Sequence, residues 1–145
     1  MKSAPNLFFV QRNTWFNSMH TPIPFEIEQI NAGNVMDSAS GKFTAPRTGI
    51  YFFSFTGHAD FPALSSPSTL AVSLLLDGGQ IARGFVEDAN TVKNQSSQVI
   101  VQSTLNLKSG NQVWMEIVAL SSGVSLAHDT HFTGFMLEEE IVTSV

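Results

Sequence analysis

GKFTAPRTGIYFFSF, residues 41–55, decides how the rest of the chain is read. Its second half has the make-up of a β-strand. Successive side chains of a strand alternate between faces, so Ile50 and Phe52 share one face and Tyr51, Phe53 and Phe55 the other. A strand with one wet face alternates apolar with polar residues, whereas this one is apolar on both. The pattern alone leaves two covers open for the second face: a neighbouring copy of the chain, or a loop folded over a large monomeric sandwich.

The totals narrow the choice. Apolar residues make up 43% of the 145, enough to bury a core in one domain. Charged residues reach only 13%, about half the share usual in soluble domains, which points to a surface partly covered by a partner or by further copies. There are 12 phenylalanines against one tyrosine. A phenyl ring has no polar tip, so most of these should be buried. The net charge of −5 argues against nucleic acid, whose binding rests on basic patches. Without cysteine, disulfides and zinc–thiolate sites are excluded. No apolar run approaches the roughly 18 residues of a membrane-spanning helix, so membrane insertion is not expected. The opening MKSAPNLFFV has no long apolar core of the kind a signal peptide needs. That leaves a cytosolic chain, or one whose signal lies outside these residues.

No stretch keeps a 3.6-residue period for three turns. Short apolar runs broken by Gly, Pro, Ser and Asn dominate, the pattern of an all-β chain. Strands are expected at 7–11, 25–30, 42–45, 50–57, 70–76, 80–86, 99–107, 113–120 and 132–137. Asp77-Gly78-Gly79 is a tight hairpin turn. The polar stretch 87–98 reads as a loop, and Glu138-Glu139-Glu140 as a solvated tail. Some ten short strands in one domain imply a β-sandwich or jelly roll.

Phe25, Asn31, Phe43, Gly49, Tyr51, Phe53 and Phe55 fall at a spacing that resembles the signature of the globular head of complement component C1q. Phe9-Val10-Gln11-Arg12, GKFTAP at 41–46, LNLKSGNQVW at 105–114 and Phe132-Thr133-Gly134-Phe135 extend the resemblance over nearly the whole chain. Met36, in place of an aromatic residue, and Asn111, in place of an Asp, depart from the pattern; Met fills core gaps adaptably and Asn suits a turn as Asp does. No Gly-X-Y repeat is present, so the likeness is to stalkless, invertebrate-type members.

The resemblance implies one C1q-like globular domain over residues 1–145, with its core at about 5–141. It implies an all-β, ten-stranded jelly-roll sandwich that assembles as a compact homotrimer, an architecture shared with tumour necrosis factor. One face of residues 50–55 would then meet the facing sheet and the other a neighbouring subunit. Tyr51, Phe53, Phe55, Trp114 and Phe135 are the rings expected in the core or subunit interface. The function implied is a non-catalytic, secreted recognition module that binds microbial or host surface ligands (glycans, lipopolysaccharide) in innate immunity. The alternative is a receptor-binding or structural C1q/TNF-like ligand of cytokine-like, synaptic-organiser or matrix type.

An enzyme is not expected. Acyl chemistry needs a converging nucleophile, base and orienting group; the serines lie mainly in turns, and neither Gly-x-Ser-x-Gly nor a Gly-rich phosphate loop occurs. His128-Asp129-Thr130-His131 is the one metal-like cluster, but residues three apart in a strand point to opposite faces, so His128 and His131 are expected as exposed loop histidines. His58 and Asp60 can share a strand face at a loop or rim. Arg83 and Lys93 belong to the 80–98 hairpin and loop, where anionic groups on a glycan could dock. Asn94-Gln95-Ser96 fits a glycosylation acceptor. These residues, His58, Asp60, Arg83, Lys93, Asn94, His128 and His131, are the ligand-binding candidates. No cofactor is required. Calcium takes oxygen ligands, and the resemblance offers Asp88 as a ligand near the trimer axis, with Asp77 and Glu87 as the nearest acids.

Overall fold

The two-faced stretch becomes part of one thirteen-residue strand, Gly49–Phe61, whose odd-numbered residues are all buried and whose even-numbered residues are all partly exposed. The structure, a computed structural model, describes residues 5–62, 68–88 and 95–141. Eleven strands follow one another: β1 (Leu7–Arg12), β2 (Ile27–Ala32), β3 (Met36–Asp37), β4 (Lys42–Thr44), β5 (Gly49–Phe61), β6 (Ser68–Leu76), β7 (Gly79–Asp88), β8 (Gln95–Leu107), β9 (Gln112–Leu120), β10 (Ser125–Leu126) and β11 (Thr130–Glu139). Two of them, β3 and β10, are only two residues long. The first sheet runs β10-β5-β11-β1-β2, with β8 also paired to β5; the second runs β3-β4-β9-β6-β7. Two facing antiparallel sheets make the jelly-roll sandwich that the sequence leads one to expect.

Three expectations change. β5 extends past residue 57 because β8 pairs with it from Gly49↔Leu107 to Phe61↔Gln95, and β10 pairs with Ala59 and Asp60. The expected loop 87–98 accordingly shrinks, since β7 reaches Asp88 and β8 starts at Gln95. The polar residues there mark a wet strand face rather than a break: Gln98 lies opposite His58 and Ser96 opposite Asp60. Glu138 and Glu139 are likewise strand residues rather than tail. Both belong to β11, and the Glu139 carboxylate pairs with the Arg47 guanidinium.

Rings from both sheets fill the seam. Phe8 and Phe132 meet edge-on with centroids 5.0 Å apart, and Phe43 reaches across from the second sheet to lie 5.2 Å from Phe53 and 5.5 Å from Tyr51. Such edge-to-face packing adds to the gain from burial. Tyr51 brings the one phenol into this core, and its hydroxyl donates to the Arg47 carbonyl at 2.6 Å, so the polar tip is satisfied. Burial raises its pKa. Gly134 sits beneath two of the rings: a Cβ there would lie 2.5 Å from Phe8 and 2.7 Å from Phe53. Trp114 is buried on the outer side of the second sheet. It is only 8% exposed yet lies outside the ring cluster, with the Lys42 ammonium 4.5 Å from its ring centroid and its Nε1 donating to Glu116 at 2.8 Å.

Asn111 has a structural reason. Its side chain accepts from the Lys108 amide and donates to an Asp77 carboxylate oxygen at 2.8 Å. An Asp at 111 would set two carboxylates face to face.

Truncating a ring at the centre of this seam removes transfer energy and leaves a cavity. Phe53→Ala should therefore cost about 3–5 kcal/mol in denaturant titration; a loss under about 1 kcal/mol would remove Phe53 from the core. Gly134→Ala should cost about 1–3 kcal/mol through overpacking, measured in the same way.

Candidate ligand-binding and assembly surfaces

The even-numbered residues of β5 define the outer face of the first sheet. At the end nearest the described termini this face is apolar. Ile50 and Phe52 lie there, and Phe52 meets Phe135 of β11 with ring centroids 5.5 Å apart. Register places Leu7 beside Phe135, and Phe9 between Thr133 and Ile30. Phe135 is thus on the outer face, while Tyr51, Phe53 and Phe55 are wholly in the core. A second exposed apolar pair lies on β7, where Phe85 (63% exposed) and Ile81 project outward, while Ile100 of β8 is exposed on the outer face of the first sheet, opposite Thr56.

Further along the same outer face the character turns polar. Ser54, Thr56, His58 and Asp60 follow in order, facing Gln102, Ile100, Gln98 and Ser96 on β8. The His58 Nδ1 lies 3.1 Å from the Asp129 carbonyl oxygen, and its Nε2 lies 3.4 Å from the Gln98 amide nitrogen. A carbonyl only accepts and an amide NH₂ only donates. The neutral tautomer with hydrogen on Nδ1 satisfies both contacts. His131 belongs to β11, half-buried, with its ring edge-on to Phe9 at 5.8 Å. Burial, and then the neighbouring His58, lower its pKa, while Asp129 opposes them.

The expected histidine pair is therefore corrected. His128 is exposed and lies 3.8 Å from Asp129, its sequence neighbour. His131 is a strand residue rather than a loop residue, and its histidine neighbour is His58. The chain turns between them at Asp129, whose φ is +64°. Arg83 projects from β7 into solvent, opposite Ser73. Lys93 and Asn94 lie outside the described residues, and Asp88 is described only by its backbone. Asp77 cannot join Asp88 within one copy. The two lie at opposite ends of the β6–β7 hairpin, about 30 Å apart at the rise of an extended strand. Among the described residues, no group of three or more His, Asp or Glu is placed to hold a metal ion.

Two residues that sequence reasoning passed over shape the polar end. Arg12, at the end of β1, is 8% exposed. It donates to the carbonyls of Pro24 (2.7 Å), Thr14 (3.1 Å) and Trp15 (3.5 Å) and to the Thr14 hydroxyl (3.1 Å). Trp15, by contrast, is 70% exposed. It stands beside a cleft of about 360 Å³ that includes Asp60, Ser96 and Ser125. A lone strand-end arginine and a tryptophan in a connecting segment carry no periodic signal. The register of Arg12 against Thr130 and the bridge of Phe16 to Leu126 bring them to this end of the sheet.

The C1q domain family matches residues 7–137, and the chain belongs to that family. It is 28% identical over 139 residues to human complement C1q tumor necrosis factor-related protein 3, covering 91% of this chain and 51% of that protein. The chain spans about half, or less, of the length of the curated relatives it matches. Among solved structures, the globular domain of zebrafish complement 1qA protein superposes with a TM-score of 0.68 at 20% identity, covering 93% of this chain and 99% of that one. The Eiger TNF of S. frugiperda superposes with a TM-score of 0.75 at 11% identity, covering 99% of each. These likenesses place the fold in the shared C1q and TNF jelly-roll architecture. No helix among the described residues is long and apolar enough to cross a membrane.

His131 makes stability depend on pH. Its folded pKa lies below the ordinary histidine value of 6.5. As pH falls through 6.5, the unfolded chain takes up a proton that the folded chain resists. Stability is therefore full above that value and declines until the folded pKa is passed. His131→Gln should flatten the slope of Tm against pH between about pH 7 and pH 5; an unchanged slope would place the pH dependence elsewhere.

Proposed function

We propose that three copies of this chain close head to tail into a secreted, non-catalytic recognition head that binds microbial or host surface ligands, glycans and lipopolysaccharide among them. The observation that carries the reading is the outward pairing of Phe52 with Phe135, on a sheet face that would otherwise meet water. The second surface, Ile81 and Phe85 of β7, supplies a different patch on the same copy. Two unlike apolar patches suit a heterologous contact, which closes into a ring when the rotation permits. The number three comes from the family, since C1q and TNF domains assemble as trimers. The charged share of 13% agrees with a surface partly hidden by assembly.

Trimerisation sets three equivalent polar ends on one body. Weak single-site contacts then gain from avidity when ligands are displayed at matching spacing. No catalytic constellation is needed for this role. Secretion is part of the proposal, drawn from the character of the family.

Light scattering at micromolar concentration should give about three times the chain mass of 15.8 kDa; a monomer mass would sink the trimer. Phe52→Asp combined with Phe135→Asp should yield a folded monomer, because each change puts a charge on the apposed face. The wild-type trimer should bind selectively on an array of microbial polysaccharides, lipopolysaccharides and sialylated or sulfated glycans. Loss of signal with chelator would support an axial calcium ion held by Asp88. A silent array from an intact trimer would favour a dedicated protein receptor.

A further inference from the structure

We propose that the cleft beside Trp15 is a carbohydrate site, in which the exposed indole stacks on one face of a neutral pyranose ring and Asp60, Ser96 and Ser125 bind its hydroxyls. The inference rests on the recognition reading above and gives it a location and a ligand class.

The polar half of the site follows from strand register. Asp60 of β5 pairs with Ser125 of β10 on one side and with Ser96 of β8 on the other. Paired residues in neighbouring strands point to the same face, about 4.5–5.5 Å apart. One carboxylate therefore stands between two hydroxyls at the end of the sheet, and all three line the cleft with Trp15, Pro62 and Gly123. A carboxylate accepts hydrogen bonds from two hydroxyls at once, while each serine both donates and accepts. The set matches the mixed donors and acceptors around a sugar ring.

The apolar half is an indole held in place. Trp15 is among the most exposed large apolar side chains described, yet its backbone is tied down. Arg12 hydrogen-bonds the carbonyls of Thr14 and Trp15. Glu26 accepts from the Asn13 amide and the Thr14 hydroxyl. Phe16 exchanges both backbone hydrogen bonds with Leu126. An aromatic ring on an anchored backbone beside a few placed polar groups matches the usual make-up of a small-ligand site.

The lining also selects the ligand. Asp60 lines the cleft, and its carboxylate would oppose a phosphate, a sulfate or a sialic acid. Quaternary ammonium groups are held in cages of several aromatic faces. Here Phe61 is 1% exposed, and the Trp15 indole is the single aromatic face the described cleft presents. A pyranose with C–H groups on one face and hydroxyls at its rim fits a lone indole flanked by a carboxylate and hydroxyls.

The test titrates the full chain with the methyl pyranosides of glucose, galactose, mannose and N-acetylglucosamine, with choline as rival. Saturation-transfer NMR and tryptophan fluorescence are the readouts. Trp114 is 8% exposed, so a fluorescence change reports Trp15. At least one pyranoside should bind. Trp15→Ala and Asp60→Asn should each weaken it about tenfold or more without changing Tm or assembly mass, while Lys108→Ala, exposed in the turn after β8, has no effect. Choline binding in place of every pyranoside would overturn the ligand class. A changed mass for Trp15→Ala would make Trp15 a subunit contact and overturn the site. On the glycan array, wild-type binding retained in Trp15→Ala would overturn this site alone and leave the recognition reading standing. Silence of the wild type on both the array and the pyranosides would overturn both.

Discussion

Phe43 sets the terms for the rest of the structure. It reaches from the second sheet into the rings of the first, where it meets Phe8, Tyr51 and Phe53 at once. Rings this size leave no slack, because interiors pack as densely as organic crystals. The register of β5 against β11 and β8 is therefore fixed: a slip of one residue would send Tyr51, Phe53 and Phe55 to the outer face and Phe52 and Ser54 into the seam. Gly134 belongs to the same constraint. Its missing side chain is the space that Phe8 and Phe53 occupy, so an apparent weak point of β11 is a requirement of the ring packing.

Much of this was legible in the sequence. Short apolar runs broken by turn residues mark the strands, and Asp77-Gly78 marks a tight turn, at which the structure has positive φ at both residues. Strand ends were harder to place. Glu87, Gln98 and Glu139 read as loop or tail because polarity on a wet strand face and polarity in a loop look alike in one dimension. The side of Trp114 was equally hidden: large and apolar, it is read as core, but an ammonium and a carboxylate from its own sheet cover it on the outside. The meeting of His58 with His131, and of Trp15 with Asp60, depends on which strands become neighbours, and no local pattern encodes that.

The outer face of the first sheet is graded along its length. Ile50 and Phe52 occupy one end, His58 and Asp60 the other, with Ser54 and Thr56 between them. In the proposed trimer, the grading would let one face serve two purposes. Apolar area at one end suits a permanent contact with another copy, while hydrogen-bonding groups at the other suit an exchangeable ligand. His131, on the border and edge-on to Phe9, couples the two ends in principle. A proton there would place a charge beside apolar surface that the proposed assembly would cover, and burial and His58 lower its pKa.

Arg12 holds the polar end in a defined geometry. A guanidinium buried to this degree is poor value for stability, since desolvation opposes its charge and lowers its pKa, with Glu26 pulling the other way. Its partners are carbonyls from two separate segments, Thr14–Trp15 and Pro24, and its charge also lies 4.7 Å from the Phe16 ring centroid. An apolar residue of similar volume would fill the space but tie down none of them. What the arginine achieves is geometry: it pins the segment that leaves β1 so that Phe16 turns inward and Trp15 outward, beside Asp60. Removing it should loosen the indole before it loosens the core, because the ring cluster makes its contacts without it.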